Sequence, residues 1–278
     1  MEDISFSRPA DKVSVGIPVP GDSSQKIYVW ADALTNYISA LGFGRKDDSL
    51  FKNFWPAKVQ VVGKDILRFH AAIWPGMLLS AGLPLPKTLL VHGFITSGGK
   101  KMSKTLGNVI DPIELIEEYG AEAVRYYLAR HISPFEDGDL TRDSFKNAYN
   151  ADLVNGLGNL VSRVMRMASQ YLDSPVDLSD KRNPMSLFQW IDKFEFNKAI
   201  LACWGDISII DGFIQKERPF EIVKTDKEKA KLRVAYYLKE LYRISEKLEP
   251  FIPETAKEIQ RLIKENKMPE KPLFPRKD

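Results

Sequence analysis

The chain has 278 residues, of which 44% are hydrophobic and 28% charged, with a formal net charge of +3; that length accommodates two domains with separate cores. It has no apolar run of roughly 18 residues, and its N-terminus, "MEDISFSRP", has no basic-then-apolar pattern, which argues against a membrane span and a signal peptide. The single cysteine, Cys203, excludes an internal disulfide and a thiolate metal cluster, fits a reducing cytoplasm and reads as a small buried hydrophobe. The slight basic excess lies in the second half of the chain; it permits a polyanionic partner and establishes none.

The first third alternates short β-rich runs with helical stretches. "KIYVW" (26–30), "VQVVG" (59–63) and "TLLVHGF" (88–94) are rich in β-branched and aromatic residues and read as buried strands. Between them, "ADALTNYISALG" and "DILRFHAAIWPGMLLSAG" carry apolar residues at helical spacing and close on glycine. Strand–helix–strand order predicts a parallel, doubly wound sheet, whose ligands sit beyond the carboxyl ends of the strands. Trp30 and Asp32, Gly63 and Asp65, and His92 and Gly93 fall at those ends.

After the third strand comes "GGKKMSKT" (98–105), which crowds three lysines behind two glycines. "DPIELIEEYG" then predicts a helix with Asp111 as N-cap, Pro112 in the first turn and Glu114 completing a capping box, interrupted at Gly120. "AEAVRYYLARH" predicts another. From about residue 142 the periodicity is almost wholly helical, broken at Pro175, Pro184, Pro219, Pro250 and Pro253. That pattern predicts a bundle of roughly five helices over 142–268 and a mobile Pro- and Lys-rich tail.

The lysine loop has an evident chemistry. Lys101 and Lys104 are three residues apart, and Gly98, Gly99 and Ser103 leave room for a ligand to approach the backbone. Two ammonium groups on one triphosphate would offset the charge that builds up as a phosphoryl bond breaks. A charge pair at 4 Å is worth about 1 kcal/mol in water and about 4 at an effective dielectric of 20, so such a loop acts only over a partly dehydrated site. The lysines alone fit a solvated basic turn better.

The order of residues is more specific. "KMSKT", after "VHGF" and before "LGNVIDP", resembles the K-M-S-K-S signature of class I aminoacyl-tRNA synthetases, with Thr105 in place of the last serine. The stretches "YVWADALTNYISALGF", "VVGKDILRFHAAIWPGMLLSAGLPLP", "VHGFITSGGKKMSKTLGNVIDP" and "AVRYYLARH" resemble the methionyl-tRNA synthetase family, from about residue 4 into the bundle and fading past residue 225. The resemblance implies an α/β fold followed by an all-α one. Residues 1–94 would be the C-terminal half of a Rossmann-type catalytic domain with a partial parallel sheet. Residues 95–141 would be the K-M-S-K-T loop and stem-contact segment, and 142–278 a helical-bundle anticodon-binding domain.

The family joins L-methionine to tRNA(Met) through a methionyl-adenylate, so the implied substrates are methionine, ATP with Mg2+, and tRNA; no zinc is implied for this chain. Lys104, assisted by Lys101, would hold the phosphates in the transition state. Gly63, Asp65, His92, Gly93 and Ile95 would line the nucleoside site. Trp30, Ala33, Leu34, Tyr37, Phe69, His70 and Trp74 match methionine-pocket positions, with Asp65 as counter-ion for the amino group; Leu34 replaces a proline found in some relatives. Asn155, Asn159 and Arg163, spaced to share one helical face, match anticodon readers for CAU. Pro219 and Phe220 match the stacking position, where many relatives carry tryptophan.

The family's other signature, His-x-Gly-His, is absent: the three histidines stand in "FHAA", "VHGF" and "RHIS". Its inserted connective domain is absent too. The expectation is therefore the C-terminal portion of a synthetase, inactive without an N-terminal half. A non-catalytic tRNA-binding module, or a class I relative charging another apolar amino acid, are the alternatives.

Overall fold

Polar residues build the first sheet. In the computed structural model, which describes residues 5–179 and 185–278, β1 (Ser7–Pro9) and β2 (Pro18–Val19) flank β3 (Asp22–Ile27) in an antiparallel sheet. The expected strand over 26–30 is corrected here. Lys26 and Ile27 end β3, and Val29 already opens α1 (Val29–Ser39). Ala31, Leu34 and Ile38 recur at helical spacing and are buried, and that burial overrides the β preference of Tyr28, Val29 and Trp30.

The chain divides into two compact units, one ending at His92 and one beginning at Gly93. In the first, α2 (Ser49–Phe54) leads to β4 (Gln60–Gly63), which pairs in parallel with β5 (Leu89–His92). The register sets Gln60 opposite Leu89 and Gly63 opposite His92, so both strands end at one level. The segment between them is less regular than one helix. A 3-10 turn (Lys64–Ile66) and a π-helical turn (Phe69–Ile73) precede α3 (Trp74–Ser80). Pro75 donates no N–H and its ring crowds the carbonyl four residues back, and the wider π turn falls directly before it. Leu34, Ile38, Trp55, Trp74 and Leu78 form this unit's core.

The second unit opens with a hairpin of β6 (Ile95–Ser97) and β7 (Lys100–Lys101). It continues through α4 (Pro112–Tyr119) and α5 (Ala121–His131), and β8 (Gly138–Asp139) returns to pair in parallel with β6. Asp111 caps α4 by accepting the Ile113 N–H at 2.8 Å, as expected. Glu114 takes no part in a reciprocal box and instead pairs with Arg142. The capping box is at Thr141 and Ser144, opening α6 (Arg142–Ala148).

From α6 a π-helical segment (Tyr149–Gly158) runs straight into α7 (Asn159–Tyr171), making one rod. Then follow α8 (Met185–Ile191), α9 (Phe196–Glu217), the single turn α10 (Pro219–Ile222), α11 (Lys227–Leu248) and α12 (Pro253–Glu265). Breaks fall near Pro175, Pro219, Pro250 and Pro253; the break expected at Pro184 lies outside the described residues. Leu153, Val161, Met165, Ile200, Tyr237, Leu241 and Ile263 belong to one continuous core. Cys203 is inside it, and burial pushes its thiol up to about 12. Among the described residues no helix is long and apolar enough to cross a membrane.

The tail departs from expectation: it is docked. Phe274 is buried against the bundle core, and the Tyr149 hydroxyl donates to the Pro275 carbonyl at 2.9 Å. Asn150 donates to the Lys277 carbonyl at 2.7 Å and accepts the Lys277 N–H at 3.1 Å. One buried ring and a satisfied backbone outweigh a composition that reads as loose. Phe274→Ala is expected to cost the second unit about 3 kcal/mol, measured as a lower urea midpoint in helix-monitored unfolding.

Candidate active site

The first unit gathers aromatic side chains from α1 and from the turn before α3. Trp30 stacks on Phe69 with centroids 4.2 Å apart, and meets His70 edge-on at 6.5 Å. Tyr37 contacts both His70 and Trp74, at 5.6 and 6.0 Å. His70 is only 4% exposed, and both ring nitrogens are engaged. Nδ1 lies 2.9 Å from the Ile66 carbonyl and Nε2 2.9 Å from the Tyr37 hydroxyl. A carbonyl can only accept, so Nδ1 carries the proton and Nε2 of the neutral ring accepts from Tyr37.

Five of the expected pocket residues are thus brought together: Trp30, Tyr37, Phe69, His70 and Trp74. Leu34 lies behind them as core, 1% exposed, and Ala33 is exposed on α1. The Trp74 indole N–H is buried without an acceptor, unlike the His70 nitrogens and the Tyr37 hydroxyl beside it. Asp65 sits at the tip of β4 in the 3-10 turn, exposed, its carboxylate against Gly63. A β-carbon on Gly63 would lie 2.7 Å from that carboxylate oxygen. His92, in register with Gly63, ends the neighbouring strand.

In the second unit the glycines of the lysine loop also have a conformational task. Gly98 and Gly99 are the two turn residues of the β6–β7 hairpin, with φ of 63° and 70°. That backbone sign at both positions is what tight two-residue hairpins demand, and glycine adopts it without strain. Gly93 is fixed by packing, since an added β-carbon would lie 2.2 Å from the Glu136 carbonyl carbon. Ile95, which follows in β6, is exposed.

Asp139, in β8, holds the turn from the side, accepting from the Gly99 N–H at 2.8 Å and from the Thr96 hydroxyl at 2.7 Å. Its contribution was invisible in the sequence, forty residues from the turn it binds. Met102 points inward to the bundle core while Lys101 and Lys104 stay exposed. Among the described residues neither lysine has a carboxylate partner; the Lys101 ammonium lies 5.4 Å from the centre of the Phe94 ring.

On the bundle, Asn155 and Asn159 are exposed and Arg163 is half-buried. Arg163 pairs with Asp211 of α9, which Gln215 also binds; nothing in the local sequence signals that partnership. Phe220 is 43% exposed with the Arg218 guanidinium 5.7 Å from its ring centre, whereas Pro219 is buried and serves to start α10. His131, the third histidine, hydrogen-bonds Asp152 at 2.9 Å. Burial pushes the Asp152 carboxyl up, but the His131 bond and the Arg130 charge outweigh it and hold it below the ordinary range.

A sequence model of the family described as "tRNA synthetases class I (M)" matches residues 1–165. The methionine--tRNA ligase of Caldanaerobacter subterraneus is 39% identical over 274 residues, 93% of this chain and 43% of that protein. That of Clostridium acetobutylicum is 41% identical over 94% of this chain and 42% of its own length. The similarity therefore continues well past residue 225. Mycobacterium tuberculosis methionyl-tRNA synthetase in complex with methionyl-adenylate superposes with a TM-score of 0.83 at 30% identity, covering 99% of this chain and 61% of that one. Its apo form gives 0.82 at 27% identity. The chain spans less than half the length of these two curated relatives.

The hairpin has a defined acid limit. The Gly99 amide, with the Thr96 hydroxyl, holds the Asp139 carboxyl below its ordinary value of 3.8. A carboxylate depressed on folding stabilises above its unfolded value, and that contribution is lost as pH falls through the folded one. Hydrogen exchange at Gly99, corrected for intrinsic rates, should keep constant protection at neutral and mildly acidic pH and lose it only below about pH 4. Loss of protection near pH 6 would exclude Asp139 as the anchor.

Proposed function

This chain belongs to the class I tRNA synthetase family of the methionyl type, and on that premise we propose that it forms part of an ATP-dependent ligase joining methionine to tRNA(Met). The observation that carries the reading is the ordered hairpin and following turn that present Lys101 and Lys104 without a carboxylate partner among the described residues. An exposed cationic pair held by a fixed turn suits an anion that arrives from solution.

In the first step the methionine carboxylate attacks the α-phosphorus of ATP, and the bond to the pyrophosphate leaving group breaks. The nucleophile is already ionised, so catalysis here is orientation and charge stabilisation. Lys104, with Lys101, would meet the charge growing on the phosphates, and Mg2+ enters with ATP as part of the substrate. Gly63, Asp65, His92, Gly93 and Ile95 are assigned to the nucleoside. In the second step a terminal ribose hydroxyl of tRNA takes the acyl group and AMP leaves.

Trp30, Ala33, Leu34, Tyr37, Phe69, His70 and Trp74 are assigned to the methionine side chain, with Asp65 facing its ammonium. Aromatic walls favour a thioether, since sulfur–aromatic contacts add about 0.3–1.5 kcal/mol each. Asn155, Asn159 and Arg163 are assigned to unpaired anticodon bases, with Phe220 as a stacking platform. Residues 1–94, 95–141 and 142–278 would correspond to catalytic, stem-contact and anticodon-binding segments. A two-stranded parallel sheet and the missing His-x-Gly-His signature support a nucleotide fold completed by a polypeptide outside these residues.

Methionine-dependent ATP–pyrophosphate exchange, and charging of tRNA(Met), are to be measured for the chain alone and with the completing half supplied. Lys104→Ala should lower exchange on the order of 10²–10³-fold with methionine affinity kept. Arg163→Ala should weaken cognate tRNA binding while leaving ATP affinity alone. Binding of tRNA with no exchange in either preparation would favour a non-catalytic tRNA-binding module.

A further inference from the structure

One side chain spans the lysine segment. The Asn108 carboxamide donates to the Ser97 carbonyl at 3.3 Å and to the Lys101 carbonyl at 3.2 Å, and its oxygen accepts the Ser103 N–H at 2.9 Å. Ser97 ends the first hairpin strand, Lys101 ends the second, and Ser103 lies between the two lysines. A further turn closes the far side: Leu106 N–H donates to the Ser103 hydroxyl at 3.1 Å, and Gly107 N–H to the Lys104 carbonyl at 3.2 Å.

Asp139 fixes the hairpin tip, whereas Asn108 fixes the stretch that carries the lysines. A rigid planar group bonded on both sides of Met102 sets the backbone course from Lys101 to Lys104. The task needs a carboxamide in particular, because it uses donors and an acceptor on one plane. A carboxylate keeps the acceptor but has no N–H for the two carbonyls. Alanine removes all three bonds.

We propose that Asn108 is a positioning residue for phosphate capture, presetting the loop so that the Lys101 and Lys104 ammonium groups converge on one polyphosphate. This rests on the reading of those lysines given above. An ordered loop avoids losing backbone freedom at the moment of binding, and misplacement of such groups by about 1 Å is enough to cost up to 10²-fold in rate.

Two measurements test it on Asn108→Ala and Asn108→Asp, with Lys104→Ala alongside. Hydrogen exchange of the chain as it stands should show Ser103 about tenfold less protected in the alanine variant and still protected in the aspartate variant, with Gly99 unchanged in both. In ATP–pyrophosphate exchange with the completing half supplied, both variants should lower kcat by roughly ten- to a hundredfold and raise the ATP KM, with the methionine KM unchanged. A purely structural residue would move all three parameters together or none. Wild-type kcat and ATP KM in Asn108→Ala, beside a slow Lys104→Ala, would overturn the proposal alone. An unaffected Lys104→Ala would overturn the phosphate reading and the proposal with it.

Discussion

The second unit places Lys101 at the end of a tight hairpin and Lys104 in the turn that follows, and neutralises neither with a carboxylate among the described residues. In water this costs little, since a unit pair at 4 Å interacts by about 1 kcal/mol. Several acidic groups of the same unit are occupied elsewhere. Glu114 and Glu118 pair with Arg142, Asp152 with His131 and Arg130, and Asp139 with the Gly99 amide and the Thr96 hydroxyl. These acidic side chains are engaged in framework bonds. On the proposed reading, an incoming phosphate displaces no carboxylate from Lys101 or Lys104 among the described residues.

The aromatic cluster in the first unit answers a different constraint. Trp74 and Leu34 are core residues by burial, while Trp30, Phe69 and Tyr37 form the half-open layer over them. The same rings therefore stabilise the unit and shape its apolar surface. His70 adds rigidity, because two hydrogen bonds define its tautomer and its plane. On the proposed reading this matters for selectivity. A methylene-sized difference in an apolar pocket is worth only about 1–3 kcal/mol, so the walls must be stiff to use even that much.

Much of this was legible in the sequence, for local reasons. Helix ends followed caps and prolines: Asp111, Gly120, Pro219 and Pro253 each mark a boundary. The ends of β4 and β5 follow from short apolar runs, and the lysine signature from residue order. What escaped depends on partners distant in the chain. The strand Asp22–Ile27 is polar and exists because Ser7–Pro9 and Pro18–Val19 pair with it. The π-helical turns at 69–73 and 149–158 leave no periodic trace. The tail reads as loose until Asn150 and Tyr149 satisfy its backbone. Gly98 and Gly99 were visible as small residues, but their backbone sign was not.

On the bundle face, the proposed recognition role of Arg163 has to coexist with a framework bond. Arg163 pairs with Asp211 through one terminal nitrogen, and a guanidinium has five N–H donors in a fixed fork. The side chains of both partners are about one-third exposed, 33% and 32%, so solvent screens the pair and its net stabilisation is small. Its effect is mainly on orientation. Gln215 holds the other oxygen of Asp211, so the carboxylate itself is fixed and Arg163 has one preferred setting. The remaining donors stay available beside Asn159, one turn away on an exposed face. On the proposed reading, a weak ion pair that restricts rotamers suits base reading, because a strong one would have to be broken first.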